Sequence, residues 1–256
     1  MNSSVNTQYD LSMVALSLLF AIIGSFVALT AASRVAQRNG RQSKTQVVTV
    51  GLALGGIGIW SMHFVGMLAL NMDVGSSYSM LETFVSLAVV VVASSASVSF
   101  AARSPENLGR LVSAGFMLGM SVVVMHYLGM FGLKFEGFIR WDYWVVLLSM
   151  AIAVLAATAA LWLTFHTPTV GRRVAAALVM GAAVSAMHYT GMSAAEFVCT
   201  TENRTAIPQG TGYVSAFRLP LLVIAVTTML LVLLALDQAF HSLRQRLTGG
   251  VRAVTR

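Results

Sequence analysis

What this sequence has least of is charge. Only 10% of its 256 residues are Asp, Glu, Lys or Arg, where a soluble domain carries roughly 25%. So few charged groups cannot clothe a chain that is 57% hydrophobic against water, which excludes an ordinary soluble fold. Cysteine is nearly absent. Cys199 stands alone, so there is no internal disulfide and no cysteine cluster for zinc or an iron–sulfur centre. Lysine is scarce too: Lys44 and Lys134 are the only two, and the other basic residues are arginines. The formal net charge is +7, yet no basic patch interleaved with aromatics exists, so nucleic acid is not a partner. No nucleophile, base and acid fall into a catalytic pattern, and the chain reads as a non-enzyme. The segment from Met1 to Asp10 has no basic residue. The apolar run after it is long enough to cross a bilayer, so it reads as a true span rather than a cleaved signal peptide.

What is present is a set of seven long apolar runs. A hydrocarbon layer of roughly 30 Å needs about 20 helical residues. Runs of that length occur at Leu11–Ala32, Val47–Leu70, Met80–Ala102, Leu111–Leu133, Tyr143–Phe165, Val174–Ala195 and Phe217–Leu236. They are continuous and show no ten-residue alternation, so helices are expected rather than barrel strands. The expected fold class is an all-α integral membrane protein: residues 1–240 form the seven-span domain and 241–256 a short basic tail. Arg34, Arg38, Arg41, Lys44, Arg103, Arg110, Arg172, Arg173, Arg244, Arg246, Arg252 and Arg256 fall on one side of this topology. The other side holds Lys134, Arg140, Arg204 and Arg218 with most of the acids. The positive-inside rule then places the N-terminus in the periplasm and the C-terminus in the cytoplasm of a bacterial inner membrane.

The chain also repeats itself. Met62-His63-Phe64-Val65-Gly66-Met67, Met125-His126-Tyr127-Leu128-Gly129-Met130 and Met187-His188-Tyr189-Thr190-Gly191-Met192 each close an even-numbered span. Because the period covers two helices, the copies share one orientation. Spans two to seven are expected as three parallel two-helix repeats, with the first span as an additional N-terminal helix. Each histidine lies seven residues before the expected outer end of its span, roughly 10 Å deep at 1.5 Å per residue. The three imidazoles are therefore expected in one layer of the outer half of the membrane.

On a helix, i and i+4 share a face, which pairs His63 with Met67, His126 with Met130 and His188 with Met192. Met62, Met125 and Met187 sit about 100° away. The motif glycines remove bulk beside the imidazoles, so that a neighbouring helix or a ligand can come close. A lone histidine or methionine in a membrane helix is ordinary packing, but packing alone does not demand histidine at three equivalent depths. Imidazole and thioether together suit copper, above all Cu(I), better than magnesium or calcium. Zinc rarely takes methionine. His and Met could also hold haem iron. The candidate metal ligands are His63, His126 and His188 first, then Met67, Met130 and Met192, and last Met62, Met125 and Met187. Asp73, Glu136 and Glu196 follow the motifs and read as outer-loop solvation rather than as a funnel for cations.

Seven spans with Met-His-Tyr-Thr-like motifs ending the second, fourth and sixth resemble the MHYT domain, a bacterial membrane sensory module. The four letters occur literally at Met187-His188-Tyr189-Thr190, while the first copy has Phe64 and Val65 and the second Leu128. The resemblance implies a copper site made by the His and Met residues near the periplasmic face, sensing oxygen, carbon monoxide or nitric oxide. It also implies, for many members, a cytoplasmic output domain. About 20 residues follow the seventh span, so the expectation is a stand-alone form acting on a separate cytoplasmic partner, with an excerpt of a longer protein and a chain that does not signal as the alternatives. Two other readings remain open at this stage: a copper-handling or transport protein, and a haem-binding electron-transfer protein. A retinal pump is excluded, because both lysines lie in loops.

Overall fold

The computed structural model describes residues 3–35 and 42–254, with side chains at 238 and beyond 240 left aside. Arg38, Arg41 and Arg256 of the basic side lie outside the described residues. Among the described residues, seven helices are long and apolar enough to cross a membrane: Leu11–Ala32, Lys44–Leu68, Met80–Ala101, Leu108–Gly132, Tyr143–His166, Val170–Ser193 and Leu219–Asp237. The last belongs to a longer helix, Leu219–Val254, which runs on through most of the expected tail. Starts differ from expectation by up to four residues. The even spans begin early because Ser43, Asn107 and Thr169 cap them, each accepting a bond from a first-turn N–H. Such caps satisfy amides that a bilayer edge cannot.

Spans one to six close a ring, each packed against the next and the sixth against the first. Small residues set these approaches. Gly24 of the first span lies against the backbone of Gly58 and Ala53 in the second, and Gly181 of the sixth lies against Ile22 of the first. The first span thus fills the gap between the sixth and the second. The seventh packs outside the ring, on the second span. In space the first span takes the place in the ring, between the sixth and the second, that a strict succession of two-helix repeats would leave to the seventh.

Short strands outside the helices follow the same threefold logic. β1 (Ser3–Ser4), β2 (Thr7–Tyr9), β3 (Leu70–Met72), β4 (Ser76–Ser79), β5 (Leu133–Phe135), β6 (Gly137–Trp141), β7 (Ala195–Cys199) and β8 (Tyr213–Ser215) all lie at the end of the bundle that carries the motifs. For spans one and two, three and four, and five and six, the strand before the odd span pairs with the strand after the even span. Tyr9 pairs with Leu70, Tyr78 with Leu133 and Trp141 with Ala195. β1 and β8 add edges to two of these sheets. This cap was not expected from the sequence, because runs of two to five residues carry no readable periodicity. Asp73 pairs with Arg204 and Glu196 with Arg140 across the cap. Such exposed pairs contribute about 0–1 kcal/mol each.

The second span departs from its counterparts. From Gly51 to Ser61 its backbone bonds run i→i+5, before ordinary helix resumes at Met62–Leu68. The consequence is a one-residue offset below the motif. Gly119 and Gly181, seven residues before their histidines, rest on Val154 and Ile22 of the neighbouring odd spans. In the second span that place is taken by Gly55, eight residues before His63, which rests on Val90 and Val91. Wide turns of this kind accumulate at functional positions.

Candidate metal centre

The three even spans bring the three motif histidines together at the axis of the ring. His63, His126 and His188 lie five or six residues from their helix ends at Leu68, Gly132 and Ser193, about 8 Å deep, and each is at most 1% exposed. Their Nδ1 atoms form a triangle with edges of 3.1 Å between His63 and His188, 3.2 Å between His126 and His63, and 3.3 Å between His188 and His126. The rings stand edge to face like a propeller, with interplanar angles of 73°, 83° and 84°.

The motif glycines explain how three rings fit. A Cβ on Gly66 would collide with Nε2 of His188, one on Gly129 with Nε2 of His63, and one on Gly191 with Nε2 of His126. Each glycine is the seat for the imidazole of another repeat, in cyclic order. Its bareness serves the neighbouring histidine rather than its own.

Polar bonding within the triangle is incomplete. A neutral imidazole has one N–H and one acceptor nitrogen. Three Nδ1 atoms in mutual contact cannot all donate, and if none donates three lone pairs face one another. The Nε2 atoms have no hydrogen-bond partner at all. Unpaired polar atoms in a dry interior are costly. A cation among the three lone pairs resolves the conflict at Nδ1. The point equidistant from these nitrogens lies about 1.9 Å from each, close to the ~2.0–2.1 Å of metal–imidazole bonds. The donor set and its dimensions therefore fit a metal ion.

The six motif methionines lie on the same helices and are all buried. Met130 borders a cavity of about 620 Å³ together with Tyr127, Phe131, Lys134 and Trp141. Met67 borders one of about 530 Å³ beside Leu70, Asp73 and Tyr78, and Met187 a narrow space on the other side of the histidine layer. Among the described residues, no hydrogen bond joins a methionine sulfur to an imidazole, and of the His, Cys, Asp and Glu side chains the three histidines gather into a group that could hold a metal ion.

A ring of aromatics encloses the histidines. Phe64 packs on Tyr78, Tyr127 on Trp141, and Tyr189 on Tyr9, with centroids 6.3, 5.3 and 5.8 Å apart. Each motif aromatic thus reaches the strand that precedes the next odd span. Burial, and then the neighbouring Tyr189, push the Tyr9 phenol up to about 12, so it stays neutral at physiological pH. The tyrosine hydroxyls end on serines of the odd spans: Tyr189 on Ser17 at 2.8 Å and Tyr127 on Ser149 at 2.7 Å. Ser86 occupies the equivalent place beside Phe64. There it is held by the indole N–H of Trp60 at 3.2 Å, which also donates to Thr83 O at 3.0 Å. Sequence reasoning missed Ser17, Ser86, Ser149 and Trp60. Their signal was available: each serine lies eight residues after Tyr9, Tyr78 or Trp141.

This accounts for the phenylalanine in the first motif. Phe64→Tyr is expected to destabilise the protein by about 1–3 kcal/mol, since its buried hydroxyl meets a serine already engaged. Tyr127→Phe should cost only about 1 kcal/mol. Thermal unfolding of both variants in one detergent checks the order.

The fold and the site define a bundle of helices of membrane-spanning length with a threefold histidine core, and comparison with known proteins places it in a family. The family model described as MHYT, a bacterial signalling protein N-terminal repeat, matches residues 1–43, 56–114, 119–177 and 181–250. The chain belongs to this family, a family of membrane signalling proteins. It is 38% identical over 196 residues to the bifunctional diguanylate cyclase/cyclic di-GMP phosphodiesterase MucR of Pseudomonas aeruginosa, covering 75% of this chain and 28% of that protein. It is 30% identical to the signaling protein YkoW of Bacillus subtilis, over 75% of this chain and 25% of the relative. It is 32% identical to the cyclic di-GMP phosphodiesterase NbdA of Pseudomonas aeruginosa, over 74% and 25%. The chain thus spans about a quarter of the length of these relatives. No solved structure matches it.

Proposed function

We propose that this protein is a metal-dependent membrane sensor that holds copper, as Cu(I), at the histidine triangle. The observation that carries the reading is the convergence of three buried Nδ1 atoms with no other polar partner among the described residues. His63, His126 and His188 would be the ligands. Met67, Met130, Met192, Met62, Met125 and Met187 would supply soft donors around them. Charge favours Cu(I) over zinc. Among the described residues no carboxylate joins the histidine group, and the cost of burying an ion in a low-dielectric medium grows with the square of its charge. Haem is disfavoured by the mutual contact of the three rings, which leaves no space for a macrocycle between two axial nitrogens.

Bound copper would supply a centre that changes ligation or oxidation state with oxygen, carbon monoxide or nitric oxide. The residues around it would convert that change into altered helix packing, which requires that two packings bind the signal with different affinity. The N-terminus would face the periplasm, consistent with the positive-inside pattern. Signalling would run to a cytoplasmic partner related in role to the enzymes named among the relatives. Metal analysis of purified protein against the variant H63A/H126A/H188A tests the reading. Copper should be present in the first and absent from the second; equal metal content in both would overturn it.

A further inference from the structure

The seventh span breaks the threefold symmetry of the protein, and it does so against the one span whose backbone is also irregular. Where it packs, the second span carries Ser61, two residues before His63 and fully buried. The equivalent residues are Val124 in the fourth span, 46% exposed, and Ala186 in the sixth, also exposed. These two stand on the outer surface of the ring, whereas Ser61 is covered. Its hydroxyl bonds to Thr227 of the seventh span at 2.9 Å and to Gly56 O within the wide-turn stretch at 3.0 Å. Leu230 lies over Gly56, where an added Cβ would come within 2.8 Å of its methyl. Further along, Thr49 donates to Asp237 at 3.1 Å. Beside that bond an open cavity of about 400 Å³ lies between the two helices, bordered by Lys44, Val48, Leu52 and Leu233.

We propose that the second and seventh spans are the output arm of the sensor. Gly51–Ser61 is a stretch whose hydrogen-bond register can shift, and Ser61, Thr227 and Leu230 pass that shift to the seventh helix. The inference rests on the metal-sensing reading of the histidine centre. His63 sits one helical step above the irregular stretch, so a change in its position bears on the Ser61 end of that stretch. A wide turn holds one residue more than an α-turn over the same bonds, so returning it to α geometry rotates and lengthens the segment. The tight end of the second–seventh interface would then drag the seventh helix, and the cavity at its far end gives it room to move. That helix has 36 residues, about 54 Å at 1.5 Å per residue, against a hydrocarbon layer of roughly 30 Å. Its far end therefore extends beyond the membrane, where a partner can read its position.

The test uses the full chain in nanodiscs, with Cys199 replaced by serine and nitroxide labels on Val48→Cys and Phe240→Cys, both exposed. Distances between the labels are measured by pulsed electron resonance before and after anaerobic Cu(I), which is diamagnetic. We expect the mean distance to shift by about 2 Å, the scale of helix movements in known switches. In S61A/T227V, and separately in Leu230→Ala, the shift should disappear while copper content stays at the parent level. Unchanged distances in copper-loaded parent protein would overturn the inference and leave the metal reading standing, as would an undiminished shift in both variants. Failure of the parent to take up copper would instead overturn the metal reading, and this proposal with it.

Discussion

Gly129→Ala is expected to empty the site as effectively as loss of a histidine. The added methyl would occupy the place of His63 Nε2. The atom displaced belongs to the far end of a side chain, so the ring can swing away and the bundle can still form. The strain should cost roughly 1–3 kcal/mol of stability, the usual range for overpacking. The ring cannot swing and keep its Nδ1 in the triangle, however, because the triangle edges are only 3.1–3.3 Å. Metal affinity should fall by about a hundredfold or more, the upper range for disturbed support of a metal ligand. The same result is expected from Gly66→Ala, through His188, and from Gly191→Ala, through His126. Gly171→Ala is the control, since nothing lies within 4 Å of its Cβ position. Metal content and thermal unfolding of the four variants decide the matter. Three glycine variants that retain full metal content would show that the cyclic seating of imidazoles is not what holds the centre.

Gly24→Leu should have the largest effect on stability. Its side chain would enter the backbone of the second span, with the first carbon meeting Gly58 N and Cα and lying 2.6 Å from Ala53 O. A backbone cannot rotate out of the way as an imidazole can. Without a hydrophobic drive between helices in lipid, close backbone approach is what holds such a pair. The first span closes the ring, so prising it from the second opens the wall between the second and sixth spans. A loss of at least ~3 kcal/mol is expected, in the range reserved for severe core disruption. It should appear as a much lower unfolding temperature and early aggregation in detergent. Unfolding at the parent temperature would mean that the first span is held elsewhere.

The order of these effects illustrates how far the residues spoke for themselves. The seven spans were legible because a bilayer dictates length and polarity to every helix that crosses it. The histidine layer was legible because three copies of one motif, in one orientation, must end at one depth. The sequence by itself therefore determined the class of fold, the membrane environment and the identity of the three histidines that come together. Tertiary structure decided the rest. Nδ1 faces the axis and Nε2 the glycines because ring orientation depends on which helix lies beside which. Periodicity relates equivalent residues but says nothing of neighbours. The same ignorance of neighbours hid the serines behind the tyrosines and Trp60 beside Phe64. The first span completes the ring and the seventh stands outside because small residues at Gly24, Gly58 and Gly181 let the first span lie close against both its neighbours, which a sequence repeat does not specify. The wide turn in the second span was invisible because Gly51–Ser61 is buried on nearly every side, so its apolar residues have no exposed face whose period could reveal the bonding.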